Sequence, residues 1–177
     1  LEDQAVIHVL LPRKSFFSRN VASENKRKSG GVTEEQIIAS NIDFLFIVIS
    51  LDHNFNLKRI DRYLTLAWAG GVKPVIILNK ADLCDNIEEK ENLVRKVALQ
   101  SPIHVISAIS LKSDILDEYL NPGTTISFVG SSGVGKSTII NNLLGYERQK
   151  VKSISNSVYK GVHTTTSREL IILDNGT

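Results

Sequence analysis

Apolar positions along the chain follow two alternating rhythms. From Ile42 to Leu51 the run is continuously apolar after Asp43, and Val75 to Leu78 (VIIL) repeats the pattern. Short β-branched runs of this kind predict strands covered on both faces. Between them Leu57, Ile60, Leu64 and Ala67 or Trp68 recur at three- and four-residue spacing up to Gly70-Gly71, the pattern of an amphipathic helix with a glycine stop. A charged helix from about Ile87 to Gln100 follows, then a strand His104 to Ser107 and a short helix around Ser113 to Leu120. A strand TISFVG, ending at Gly130, and a helix after Lys136 that stops at Gly145 complete the series. Strands alternating with helices imply right-handed crossovers and a largely parallel sheet with helices on both faces.

The flanking segments read differently. Ala5 to Leu11 (AVIHVLL), ended by Pro12, suits a strand with no local partner, and Arg13 to Val32 reads as a linker or mobile loop carrying Lys26-Arg27-Lys28 and Ser29-Gly30-Gly31. Thr33 with Gln36 three positions on is a capping-box signature that predicts a short helix from Glu34 to about Ser40. RELIILDNGT predicts a strand followed by a hairpin turn at Asn175-Gly176, with no returning arm.

Composition narrows the class. With 177 residues, 42% hydrophobic and 23% charged, the chain has the make-up of a globular protein with a sizeable core. A net charge of +2 and a pI of about 8.7 fall short of the basic footprint of a dedicated nucleic-acid binder. The single cysteine, Cys84, excludes an internal disulfide and is expected as a packed thiol near a strand end in a reducing compartment. The longest strongly apolar run, Phe44 to Ile49, is too short to cross a bilayer. The expectation is a cytoplasmic protein without membrane contact. The chain contains no Met and opens LEDQAVIHVL, so it is expected to be a piece of a longer protein.

GSSGVGKS, Gly130 to Ser137, matches G-x-x-x-x-G-K-[ST] with a strand before it and a helix after it. Glycines without side chains let the backbone N–H groups of Gly130, Ser131, Ser132, Gly133, Val134 and Gly135 wrap a phosphate, at a helix N-terminus whose dipole favours negative charge. Lys136 would reach the β- and γ-phosphates, the Ser137 hydroxyl would hold Mg²⁺, and Thr138 closes the loop. NKAD, comprising Asn79, Lys80, Ala81 and Asp82, is built of residues also common in plain loops, and its weight comes from its place at a strand end. Guanine presents an N1–H and an N2 amine side by side; the Asp82 carboxylate can accept both, whereas adenine offers no such pair. Asn79 would tie this loop to the base and to the phosphate loop, and the Lys80 stem would cover the base. At Ser107-Ala108-Ile109 the Ala108 N–H would meet guanine O6, or the triplet is an ordinary strand end. All three motifs begin where a predicted strand ends, which is where open α/β sheets bind ligands.

TEEQIIASNIDFLFIVIS, FNLKRIDRYLTLAW, PVIILNKADL, SAIS, GSSGVGKSTIINNLLG and GVHTTT follow one another along the chain. In this order, and over nearly its whole length, the chain resembles the circularly permuted GTPases, most closely the ribosome small subunit-dependent GTPase A (RsgA/YjeQ) group. Ordinary GTPases place the phosphate loop first; in permuted members the old termini are joined, the motif order is reversed and the three-dimensional site is kept. The resemblance implies an α/β P-loop GTPase fold, circularly permuted, over residues 33–177, stopping before the DxxG motif that senses the γ-phosphate. It implies the last strand of an OB-type domain within residues 1–19 and a basic linker over 20–32. It makes Gly161 to Thr166 the first switch segment, with Thr165 the middle choice among Thr164, Thr165 and Thr166 for holding Mg²⁺ and sensing the γ-phosphate; a flexible Thr-rich loop is the plain alternative. It implies GTP and GDP as ligands, zinc only in a C-terminal part beyond this chain, and the small ribosomal subunit with its rRNA as partner to a monomer.

The leading expectation is GTP hydrolysis by in-line attack of water, with Lys136 and Thr165 as catalytic residues and Ser137 and Thr165 on Mg²⁺. No arginine finger or water-orienting glutamine is evident in the sequence, so intrinsic turnover is expected to be slow until a partner raises it. One alternative is an RNA-binding assembly factor whose nucleotide only sets affinity, with Arg13, Lys14, Arg19 and Lys26-Arg27-Lys28 on rRNA phosphates and Phe16 and Phe17 stacking on bases, against a plain reading of a solvated basic linker with two packed phenylalanines. Another is an ATP-using P-loop enzyme in which NKAD is accidental.

Overall fold

The computed structural model describes residues 7–22, 33–110, 113–146 and 170–177. In chain order the elements are β1 (Phe16–Ala22), β2 (Thr33–Ser40), β3 (Phe44–Ser50), α1 (Leu57–Ala69), β4 (Lys73–Asn79), α2 (Ile87–Ala98), β5 (Ile103–Val105), β6 (Ile126–Val129) and α3 (Lys136–Leu144), with a 3-10 segment over Ser113–Tyr119. The strands β5-β4-β3-β6 form a sheet in that spatial order, parallel throughout.

Strand β3 shows why its sequence carries no polar alternation. Leu45, Ile47 and Ile49 pack on one face with Ile60 and Leu64 of α1 and Val94 of α2. Phe46 and Val48 pack on the other with Leu116, Tyr119 and Ile139. Because side chains alternate along a strand and both faces are covered, every position must be apolar. Helix α1 starts where Asn56 Oδ1 accepts the Arg59 N–H at 3.1 Å, and it buries Ile60, Leu64 and Ala67, the face its spacing predicts. From β3 the chain steps outward through β4 to β5, then crosses back to lay β6 on the opposite side of β3. That reversal opens a crevice at the carboxyl ends of β3 and β6.

Several expectations are corrected. The segment predicted as a helix over Glu34 to Ser40 is strand β2, paired antiparallel with β1. Its apparent capping residue Gln36 accepts instead from Arg19 Nε at 2.8 Å, and Glu35 accepts from Ser18 Oγ at 2.6 Å. Cross-strand pairing has overridden a local helix signal, as weak propensities allow. β1 also runs through residues assigned to the OB remnant and to the linker, so the boundary at 20 falls inside a strand. Ile7 to Leu11, predicted as strand, has no ladder partner among the described residues and is exposed; Ala5 and Val6 lie outside them. At the other end Leu170–Leu173 is not a strand, and the turn that forms is centred one residue earlier than expected, on Asp174 and Asn175, with the Gly176 N–H bonded to Leu173 O at 2.9 Å. Phe17, offered above for base stacking, is 2% exposed and packs in the α1 core beside Tyr63. Lys26-Arg27-Lys28 lies outside the described residues.

Candidate functional site

The phosphate-loop sequence leaves β6 at Gly130, and the geometry there admits no side chain. Gly130 has φ 150°, and a Cβ on it would stand 2.3 Å from the Val48 carbonyl oxygen of β3. Val134 is fully buried in the second core and pins the loop from beneath. Lys136 opens α3 and folds back, its Nζ donating to Gly130 O at 2.9 Å and Ser131 O at 2.7 Å. Burial lowers its pKa from the ordinary lysine value.

NKAD is joined to this loop by one side chain. Asn79, 1% exposed at the end of β4, donates from Nδ2 to Val134 O at 2.8 Å and accepts the Ala108 N–H on Oδ1 at 2.8 Å. A single amide thus holds the phosphate loop, the NKAD loop and the Ser107-Ala108 turn together. Gly135 makes this approach feasible: with φ 102°, a Cβ there would lie 2.1 Å from Asn79 Nδ2. The backbone reinforces the junction through Leu51 N–H to Asn79 O at 2.8 Å and Ala81 N–H to Ile106 O at 3.1 Å. The Ala108 N–H, expected to face guanine O6, is therefore taken up by Asn79, the nearest acceptor to a buried donor. Asn142 of α3 donates to Ala108 O, a support that carried no motif in the sequence. Asp82 is exposed, and its Oδ1 accepts from Ser107 Oγ at 2.5 Å, which orients the carboxylate.

Asp52, just beyond β3, was also unmarked in the sequence. Lys80, in a left-handed conformation with φ 64°, reaches it with Nζ at 2.9 Å from Oδ2. Burial raises the Asp52 pKa, but hydrogen bonds from Lys80, the Asn54 N–H and the Ser50 hydroxyl outweigh it and bring the group down to about 2 from 3.8. A depressed carboxylate adds stability above its unfolded pKa and loses it as pH falls through the folded one. Asp52→Asn should therefore cost about 1 kcal/mol at neutral pH, since solvent screens part of the pairing. In urea melts from pH 7 down to 2 the gap between variant and parent should close below about pH 4. A gap that persists to pH 2 would rule out the ion pair as its source.

Gly130, Ser131, Ser132, Gly133, Val134, Gly135, Lys136, Ser137 and Thr138 thus lie at the crevice with Asn79, Lys80, Ala81, Asp82, Ser107 and Ala108. Lys136 and Ser137 border a cleft of about 550 Å³ between β6, α3 and Leu170–Leu173. A second cleft of about 770 Å³, around Trp68 and Leu99, sits at the opposite ends of the strands and is remote from these motifs. The Ser137 hydroxyl is a hard oxygen donor of the kind Mg²⁺ accepts when phosphates and waters fill most of its shell. Thr165 and the rest of Gly161 to Thr166 lie outside the described residues. Cys84 is a half-buried thiol contacted by Lys90 Nζ at 3.5 Å. No helix among the described residues is long and apolar enough to cross a membrane.

Residues 10–177 match the model of the family described as RsgA GTPase. Curated relatives include the small ribosomal subunit biogenesis GTPase RsgA of Leptospira interrogans, 44% identical over 99% of this chain and 47% of its own length. Another, small ribosomal subunit biogenesis GTPase RsgA 2 of Lactiplantibacillus plantarum, is 46% identical over 99% of this chain and 48% of its own. The chain spans about half the length of the curated relatives it matches. Among solved structures, YjeQ from Thermotoga maritima aligns with a TM-score of 0.62 at 25% identity, over 94% of this chain and 50% of that one.

Proposed function

The chain belongs to the RsgA GTPase family, and from that premise we propose that it binds GTP and GDP and serves GTP hydrolysis during small ribosomal subunit maturation. The observation that carries this is the Asn79 amide, which bonds Val134 of the phosphate loop and Ala108 of the base-side turn. An accidental NKAD would have no reason to meet a phosphate loop through a buried amide bonded at both its nitrogen and its oxygen.

Residue by residue, Lys136 exchanges the carbonyls of Gly130 and Ser131 for β- and γ-phosphate oxygens, whose charge reverses the burial penalty on its ammonium. The loop N–H groups at the start of α3 take the remaining phosphate oxygens. Asp82, already oriented by Ser107, accepts the two guanine donors. Lys80, held by Asp52, lays its stem along the base. Ser137, with Thr165 of the switch segment, would hold Mg²⁺, which would supply neutralisation of phosphate charge. Water attacks the γ-phosphorus in line with the bond to the β–γ bridging oxygen, which breaks to release GDP while the water's proton passes to the departing phosphate, and Lys136 and the loop N–H groups face the oxygens over which the charge spreads. The small ribosomal subunit and its rRNA are the proposed partners, the cytoplasm the compartment, and a monomer the working state. The burial of Phe17 removes one of the two stacking groups on which a purely RNA-binding role would draw.

Calorimetric titration of GDP and ADP, each with Mg²⁺, into the intact protein tests the reading. Selective GDP binding is expected; ADP binding, or binding of neither, would overturn it.

A further inference from the structure

Arg59 stands in the first turn of α1, where a cation opposes the helix dipole. Its Nη1 donates to Ser131 Oγ at 2.6 Å and to Asn54 O and Oδ1, both at 3.3 Å. All three acceptors are neutral. Among the described residues the ion pairs of Lys and Arg are Lys80 with Asp52 and Arg95 with Glu91, so no described carboxylate pairs with this half-buried guanidinium.

Ser131 is also the residue whose carbonyl accepts Lys136 Nζ at 2.7 Å. Two cations thus converge on one loop residue, Lys136 through its main chain and Arg59 through its hydroxyl. A part-buried charge whose acceptors are all neutral is costly to hold. Such an arrangement suits a place that an anion will occupy. The Lys136 ammonium marks the end of the loop that takes the β- and γ-phosphates, and Arg59 stands beside it.

We propose that Arg59 is a positioning residue of the chain's own for the triphosphate end of the nucleotide: through Ser131 it braces the phosphate loop, and its unbalanced charge favours the terminal phosphate. This rests on the guanine-nucleotide reading above and deepens it, since no arginine in the sequence was marked for such a role. The placement of the guanidinium matters as well as its charge, because its single Nη1 reaches both Asn54 and Ser131.

The test uses the intact protein and three variants, Arg59→Gln, Arg59→Lys and Ser131→Ala. Gln is well tolerated in the first turn of a helix, so Arg59→Gln should keep its thermal transition. Affinities for GDP and for the slowly hydrolysed analogue GTPγS are measured by calorimetry, and GTP hydrolysis by single turnover. Losing a hydrogen-bonded charge should weaken GTPγS binding, and slow the single turnover, by roughly tenfold or more in Arg59→Gln. GDP affinity should fall by no more than about threefold, because the terminal phosphate is absent. Arg59→Lys should recover part of the triphosphate preference, and Ser131→Ala should lose part of it. Equal losses for GDP and GTPγS, or no loss of either, would overturn the proposal, as would a lowered thermal transition with no recovery in Arg59→Lys. A parent protein that binds guanine nucleotide while Arg59→Gln matches it sinks this inference alone. A parent that binds none sinks the functional reading as well.

Discussion

Asp82→Asn should abolish measurable GDP binding and confer affinity for xanthosine diphosphate. The Asp82 carboxylate is held by the Ser107 hydroxyl on Oδ1, which leaves Oδ2 and the second lone pair of Oδ1 for a base. In the variant the amide oxygen keeps the Ser107 bond, and the amide nitrogen now donates. Guanine brings two donors to that edge, so an amide meets it donor to donor. Xanthine carries a carbonyl where guanine has the N2 amine, and the match is restored. Sites built to hydrogen-bond a particular edge reject a mismatch by about 10⁴-fold, because the buried groups are left unpaired. Asp82 is exposed without ligand, so the variant should fold with an unchanged thermal transition and isolate the binding effect. Paired titrations of GDP and xanthosine diphosphate into parent and variant would decide it. An unchanged base preference would remove Asp82 from the site.

Gly135→Ala should disable the site from the opposite side. The new methyl would fall 2.1 Å from Asn79 Nδ2, and the backbone there has φ 102°, a region a side chain disfavours. Relief requires Asn79 to withdraw, which breaks its bond to Val134 O and leaves buried amide groups unsatisfied. Backbone strain and lost bonds together should cost about 2 to 5 kcal/mol in urea unfolding. GDP affinity should fall by about a hundredfold or more, since the phosphate loop loses its tie to the base-side loops. Gly133→Ala is the control: it too has positive φ, at 77°, but its Cβ would meet nothing within 4 Å. It should pay strain alone, about 1 kcal/mol. If the two variants are equally damaged, the Asn79 bridge is not what holds the loop.

Much of this protein was legible before its structure. The doubly covered strands β3 and β4 follow from unbroken apolar runs, and α1 follows from the spacing of Leu57, Ile60 and Leu64. The phosphate loop and NKAD announced themselves by motif and by their places at strand ends. The β1–β2 ladder did not, because Thr33 and Gln36 form a helix signal that is local, whereas the pairing of Arg19 with Gln36 is not. Asp52, Arg59 and Asn142 belong to no motif either; Arg59 meets Ser131 across a sequence separation of 72.

By itself the sequence determined the covered strands, the amphipathic helix and the identity of the loops that would handle phosphate and base. These depend on local periodicity and on residue chemistry that survives any rearrangement of order. Only the tertiary structure decided that β6 returns to the far side of β3, that Asn79 closes on Val134 and Ala108, and that Arg59 arrives at the Ser131 hydroxyl. Such contacts are set by which buried donors and acceptors find one another across the crevice. A polar group taken from water must be satisfied by whatever the fold brings near, and nothing in its sequence neighbourhood says what that will be.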